Sequence, residues 1–91
     1  MPKEAWELQY TNRYLKNIKK LDKPTAQRIT SALDRLATYP NPQGHCKALT
    51  GEYAGLSRYR VGNYRVIVSF QATELIILAL EVGHRSRIYN R

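Results

Sequence analysis

The chain has a single cysteine, Cys46, among its 91 residues. One thiol cannot close an internal disulfide, and such cysteine usage is typical of a reducing compartment. Long hydrophobic runs are also missing, since "LIILAL" is far shorter than the ~20 apolar residues of a membrane helix. The N-terminal "MPKEAWELQY" has acidic residues where a signal peptide has its apolar core. We therefore expect a cytoplasmic protein with no membrane partner.

Patterns that bind metals or cofactors are equally scarce. His45, Cys46 and His84 lack the spacing of metal ligands, and no glycine-rich phosphate loop is present. The glutamates show no paired arrangement for hydrolysis by two carboxylates, and a lone cysteine on a short chain is a poor candidate for a nucleophile. We expect neither a metal nor a cofactor.

Positive charge is what the chain has in excess. Fifteen Lys and Arg against seven Asp and Glu give a formal charge of +8. This excess favours a polyanionic partner: a nucleic acid, an anionic membrane face or an acidic protein. The length accommodates one domain, which we assign to residues 1–91.

Hydrophobic periodicity predicts a strand followed by two helices. "WELQY" alternates like a half-buried strand, and Thr11 or Asn12 can cap the helix that follows. Pro24 suits the first turn of the second helix, which "TYPNP" ends. The apolar stripes of the two helices are Tyr14, Leu15, Ile18 and Leu21, then Ala26, Ile29, Ala32, Leu33 and Leu36. The next segment, "NPQGHCKALTGEYAG", is predicted to be irregular.

Three strands are predicted in the second half. "LSRYRV" and "YRVIVSF" flank Gly62-Asn63, a two-residue turn of the kind that tight hairpins require. "LIILALEVG" is apolar on both faces, which predicts a central strand covered on one side by the helices. The order β-α-α-β-β-β predicts an α+β fold, a helical hairpin packed on a small, mainly antiparallel sheet.

The hairpin register predicts where the charges lie. With Gly62-Asn63 as the loop, Arg60 lies directly opposite Arg65, a like-charge pair that costs up to about 1 kcal/mol. One interpretation is two solvated arginines whose heads splay apart; the other is a cationic surface that a phosphate neutralises. The face towards the helices is expected to carry Tyr59, Val61, Tyr64, Val66, Val68 and Phe70, and the other face Arg58, Arg60, Arg65, Ile67 and Ser69.

The C-terminal "EVGHRSRIYNR" adds a second basic group. We expect Gly83 to let the backbone turn after the last strand. If that strand lies beside "YRVIVSF", it ends at Gly62-Asn63, so His84 and Arg85 converge with the hairpin arginines. The two groups are then one patch.

Such a patch has the groups that RNA cleavage needs. The neighbouring 2′-hydroxyl is the nucleophile, so the protein supplies a proton acceptor, cations for the phosphate and a donor for the departing 5′-oxygen. Histidine is suited to proton transfer near neutral pH, which makes His84 a candidate. Tyr89 can donate a proton or stack on a base. The structural alternatives are a strand-end histidine in a hydrogen bond and a tyrosine that anchors the tail.

The segments "KALTGEYAGLSRYRVGNYRVIVSF" and "LIILALEVGHRSRIY", after a helical hairpin, resemble the RelE/ParE superfamily of type II toxins. "YRVGNYRVIV" and "VGHRSRIY" are the most specific parts, and they are most similar to the RelE branch. The resemblance spans essentially the whole chain and implies the RelE-type microbial RNase-like fold. It implies a ribosome-dependent mRNA endonuclease (an mRNA interferase) that acts on the A-site codon. It also implies three partners: the 70S ribosome, its mRNA and a cognate RelB-like antitoxin, usually acidic.

The resemblance assigns roles residue by residue. Arg65 matches the arginine at the scissile phosphate, Arg85 the second catalytic arginine, and Tyr89 the tyrosine that stacks on the substrate base. His84 stands where relatives have a basic residue or histidine. The positions expected along the RNA are Lys47, Arg58, Arg60 and Arg87.

The chain departs from the RelE pattern at the proton acceptor. Leu56 and Arg58 replace a pair of strand lysines, and arginine holds its proton too tightly to be a general base. His84 is the first candidate, with Lys47 or Glu52 behind it. Two other functions stay open: a ParE-like DNA gyrase poison without nuclease activity, and a non-catalytic nucleic-acid-binding module.

Overall fold

The computed structural model describes residues 6–85, which form two helices packed on one five-stranded mixed sheet. In chain order the elements are β1 (Glu7–Tyr10), α1 (Asn12–Lys19), α2 (Lys23–Leu36), β2 (Lys47–Ala48), β3 (Ser57–Val61), β4 (Tyr64–Gln71) and β5 (Ile76–His84). The sheet order is β1-β5-β4-β3-β2, with β1 parallel to β5 and the other pairs antiparallel. The predicted α+β class is confirmed. Strand β2 is an addition within the segment expected to be irregular.

Side-chain caps begin both helices. The Thr11 hydroxyl accepts a hydrogen bond from the Tyr14 backbone N–H at 3.0 Å, and the Asp22 carboxylate accepts one from the Thr25 N–H at 3.2 Å. Pro24 lies in the first turn of α2, as predicted. These contacts satisfy backbone donors that lack a partner inside the helix. Among the described residues, no helix has the length and apolar character needed to cross a membrane.

The hydrophobic core lies between the helices and one face of the sheet. The helices contribute Tyr14, Ile29, Ala32, Leu33 and Leu36, and the sheet contributes Val61, Val66, Val68, Ile77, Ala79 and Val82. The predicted stripe of α1 is wrong at Leu15, whose exposed fraction is 43%. The eight-residue α1 buries Tyr14 and packs Ile18 against the core, so Leu15 lies outside this contact.

Helix α1 and its N-cap cover the part of the β5 edge that β1 does not pair with. Strand β1 pairs with β5 only as far as Ala79. Beyond that point the Thr11 hydroxyl donates to the Leu80 carbonyl at 2.7 Å, and the Val82 N–H donates to Asn17 Oδ1 at 3.0 Å. These two side chains therefore give hydrogen-bond partners to backbone groups of β5 that have no neighbouring strand on that side.

Candidate functional site

The β3–β4 hairpin has the predicted register. Arg60 lies directly opposite Arg65, and the loop is Gly62-Asn63. Gly62 has a φ of 60°, a left-handed conformation that glycine adopts without strain. The tight turn fixes the register, and the register places two arginines side by side.

The two faces of the sheet differ as the alternation predicts. The face towards the helices carries Tyr59, Val61, Tyr64, Val66, Val68 and Phe70, all in or packed against the core cluster. The opposite face, called the open face here, carries Arg58, Arg60 and Arg65, with Lys47 opposite Arg58. Ile67 shares the open face and is 1% exposed, with Arg58 and Glu81 as its cross-strand neighbours.

The end of β5 lies at the hairpin turn, as expected. The Arg85 N–H donates to the Asn63 carbonyl at 2.8 Å, and Gly83 lies opposite Arg65. The expected turn at Gly83 is wrong, because Gly83 belongs to β5 and the chain turns at Arg85. Antiparallel pairing with β4 continues the strand to His84. Gly83 instead leaves Arg65 opposite a position with no side chain.

His84 lies on the other face of the sheet from Arg65. It pairs with Tyr64, and the two rings meet edge to face with centroids 5.5 Å apart. Residues directly opposite each other share a face, and Tyr64 packs against the helix-side core. The structure thus brings Arg60, Arg65 and the backbone of Arg85 to one end of the sheet. It places the His84 ring on the helix side of that end.

The remaining predicted residues are more scattered. Lys47 is exposed on the edge strand β2, separated from β4 by β3. Glu52 is exposed in a 3-10 turn, Gly51–Tyr53, that precedes β3. Tyr89 and Arg87 lie outside the described residues 6–85, so their expected roles stay predictions.

Glu81 is a candidate that the sequence analysis missed. It lies opposite Ile67, so its carboxylate shares the open face with the hairpin arginines. Arg13 Nε of α1 lies 3.3 Å from Glu81 Oε1, and the glutamate side chain is 20% exposed against 75% for the arginine. The signal was present in the alternation of "LEVGH", which places residues 81 and 83 on one face.

Cys46 has the environment of a structural cysteine. Burial raises the pKa of its thiol to about 11, and the Sγ donates to the Pro42 carbonyl at 3.6 Å. A thiolate is the reactive species, so this thiol stays protonated and unreactive near neutral pH.

Comparison with known families identifies the class of protein. A family model described as "ParE toxin of type II toxin-antitoxin system, parDE" matches residues 8–89. The chain therefore belongs to the ParE toxin family of the RelE/ParE superfamily, and it is the toxin of a type II toxin–antitoxin system. No significant match is found among curated protein sequences.

Solved structures of RelE toxins share the fold. A chain of the toxin–antitoxin complex RelBE2 from Mycobacterium tuberculosis is 25% identical, with a TM-score of 0.70 over 89% of this chain and 99% of that one. A chain of the archaeal RelE–RelB complex from Pyrococcus horikoshii is 26% identical, with a TM-score of 0.69 over 91% and 98%. The isolated E. coli RelE toxin is 20% identical, with a TM-score of 0.71 over 93% and 92%.

Proposed function

We propose that this toxin is a metal-independent endoribonuclease that cleaves mRNA in the A site of the ribosome and so inhibits translation. The observation that carries the proposal is the like-charge pair Arg60–Arg65, next to which the end of β5 is fixed by the bond from Arg85 to Asn63. Two cations held side by side raise the energy of the free protein, and a phosphate bound between them removes that cost.

The chemistry follows from what a phosphodiester needs when its own 2′-hydroxyl attacks. Negative charge grows on the phosphate oxygens, and arginines fixed in advance stabilise it more than water does. We assign this role to Arg65 and Arg85. His84 is assigned to proton transfer at the end of β5, and Tyr89 to stacking on the substrate base. The cations that we propose to contact the RNA are Lys47, Arg58, Arg60 and Arg87.

The proposed partners follow from charge and from the relatives. The formal charge of +8 suits the mRNA and the 70S ribosome, because phosphate contacts position a protein on RNA. The M. tuberculosis and P. horikoshii relatives were solved as toxin–antitoxin complexes. We propose an acidic, RelB-like antitoxin as the cognate partner, and the cytoplasm as the place of action.

Primer extension on a message translated in a purified system tests the proposal. Wild-type protein is expected to give cleavage products within the translated frame. Arg65→Ala and Arg85→Ala are each expected to lose most of the cleavage while keeping the wild-type circular dichroism spectrum. Arg35→Ala, which removes an exposed arginine from the last turn of α2, is the matched control and should cleave like wild type. Cleavage that survives both site substitutions contradicts the assignment.

The family description supports a second candidate function. The matching model is named for ParE toxins. Resemblance to the ParE branch implies that this toxin would inhibit DNA gyrase and would not cleave RNA. A supercoiling assay with purified gyrase separates the two functions. Inhibition of supercoiling together with intact ribosome-bound mRNA establishes the ParE-like function, whereas cleavage without gyrase inhibition establishes the RelE-like one.

A further inference from the structure

We propose that Glu81 is the general base, the group that accepts the proton of the attacking 2′-hydroxyl. The inference rests on the proposed nuclease function and identifies its missing proton acceptor. Sequence reasoning favoured His84, with Lys47 or Glu52 behind it, and did not consider Glu81 for this role.

The pairing of β4 with β5 places Glu81 next to Arg65. Arg65 lies opposite Gly83, and Ile67 lies opposite Glu81. Ile67 is two residues after Arg65 on β4, and Glu81 is two residues before Gly83 on β5, so all four positions share the open face. Arg65 and Glu81 are therefore diagonal neighbours, whose Cα atoms are typically about 7–8 Å apart. A 2′-hydroxyl adjoins its 3′-phosphate within one nucleotide. A phosphate at Arg65 accordingly brings this hydroxyl within reach of the glutamate.

The surroundings of Glu81 suit a proton acceptor. Arg13 Nε lies 3.3 Å from Glu81 Oε1. An ionised carboxylate is an acceptor on both oxygens, so Oε2 can take the hydroxyl proton. On β4 its cross-strand neighbour Ile67 is buried, and the next same-face position on β5 is Gly83, which has no side chain.

The other candidates are less well placed. The ring of His84 lies with Tyr64 on the helix side of the sheet. Lys47 is on the far edge strand, and Glu52 is in the turn that precedes β3. Glu7 also shares the open face, since it pairs with Ile76, but it lies at the opposite end of β5. Glu81 is thus the carboxylate of the described residues that is nearest in register to the arginine pair.

The step balances without a further reactant. The Glu81 carboxylate takes the 2′-hydroxyl proton while the 2′-oxygen forms a bond to phosphorus. The bond from phosphorus to the 5′-oxygen breaks, and its electron pair stays on that oxygen, which takes a proton from the solvent. The products are a 2′,3′-cyclic phosphate and a 5′-hydroxyl. Arginine charge at the phosphate stabilises the transition state.

Single-turnover cleavage of ribosome-bound mRNA across a range of pH, at saturating toxin, tests the inference. A positioned general base contributes about 10²- to 10⁴-fold, so Glu81→Gln is expected to slow cleavage by at least about 100-fold. The Glu81→Gln substitution should also abolish the increase in cleavage rate with rising pH at the acidic end of the pH–rate profile. Glu81→Asp should retain that rise with a smaller loss. Glu7→Gln removes the same charge from the same face and should leave both rate and profile unchanged.

A structural role for Glu81 predicts a different pattern. Arg13→Gln breaks the ion pair but keeps the carboxylate, so it should keep the acidic limb of the profile. The inference is overturned if Arg13→Gln loses the acidic limb of the pH–rate profile. It is also overturned if Glu81→Gln cleaves as fast as Glu7→Gln. In both cases the proposed function stands. Wild-type protein that leaves ribosome-bound mRNA intact overturns the proposed function and this inference together.

Discussion

Replacing Arg60 with glutamine should stabilise the free toxin. Arg60 is exposed and lies directly across from Arg65. For two guanidinium groups about 7 Å apart, Coulomb repulsion in water is about 0.6 kcal/mol. Screening is weak in 10 mM salt and strong at 150 mM, where the Debye length is about 8 Å. We expect a gain of about 0.5 kcal/mol in low salt and about 0.2 kcal/mol at 150 mM.

Thermal unfolding followed by circular dichroism measures this gain. For a domain of this size, about 0.5 kcal/mol raises Tm by about 2–4 °C. Arg13→Gln is the matched control, because it removes the same charge from an arginine that pairs with Glu81 at 3.3 Å, and it should not raise Tm. An Arg60→Gln variant that melts at or below wild type in 10 mM salt, or a gain that does not shrink with salt, refutes the repulsion argument.

Three further predictions concern contacts that hold the fold. Asn17→Ala removes the acceptor of the Val82 N–H and should cost about 1–3 kcal/mol, with faster hydrogen exchange at that amide in NMR. Asp22→Ala should lower Tm at neutral pH; hydrogen bonds from Thr25 lower the pKa of Asp22, so the carboxylate stabilises the fold above its ordinary titration range. The difference between wild type and the variant should therefore shrink as pH falls through the lowered pKa. Burial raises the pKa of Cys46 from 9.0 to about 11, so the unfolded state loses its thiol proton first. Urea unfolding should show wild type losing stability relative to Cys46→Ala as pH rises from 9 towards 11.

Much of the fold was predictable because its signals are local. The Gly62-Asn63 turn allows one register for the hairpin, and alternation along β3 and β4 then assigns every side chain to a face. The apolar stripe of α2 follows the helical period, and four of its five predicted residues are buried.

The errors arose where the packing of elements decides the outcome. Strand β2 has two residues and no pattern of its own, so it forms only because β3 is beside it. The exposure of Leu15 depends on α1 lying along the edge of β5, which the helical period does not encode.

In the candidate site too, features set by strand pairing were predicted, and features set by the packing of distant elements were missed. The convergence of the hairpin with the end of β5 follows from antiparallel pairing of the last two strands, which the sequence analysis expected. The face of His84 was missed because a turn was expected at Gly83, whereas continued pairing carries the alternation through to His84 opposite Tyr64. Glu81 was passed over because its partner, Arg13, is 68 positions away in sequence and reaches it only through the packing of α1 on β5.

A double-mutant cycle between Arg65 and Arg85 tests the central claim that both arginines act on one phosphodiester. Single-turnover cleavage rates on translating ribosomes would be measured for wild type, Arg65→Gln, Arg85→Gln and the double variant. Groups that act as a unit are strongly non-additive, so the double variant should lose much less activity than the product of the two single losses. A double variant whose loss equals that product, as independent sites give, contradicts the shared site.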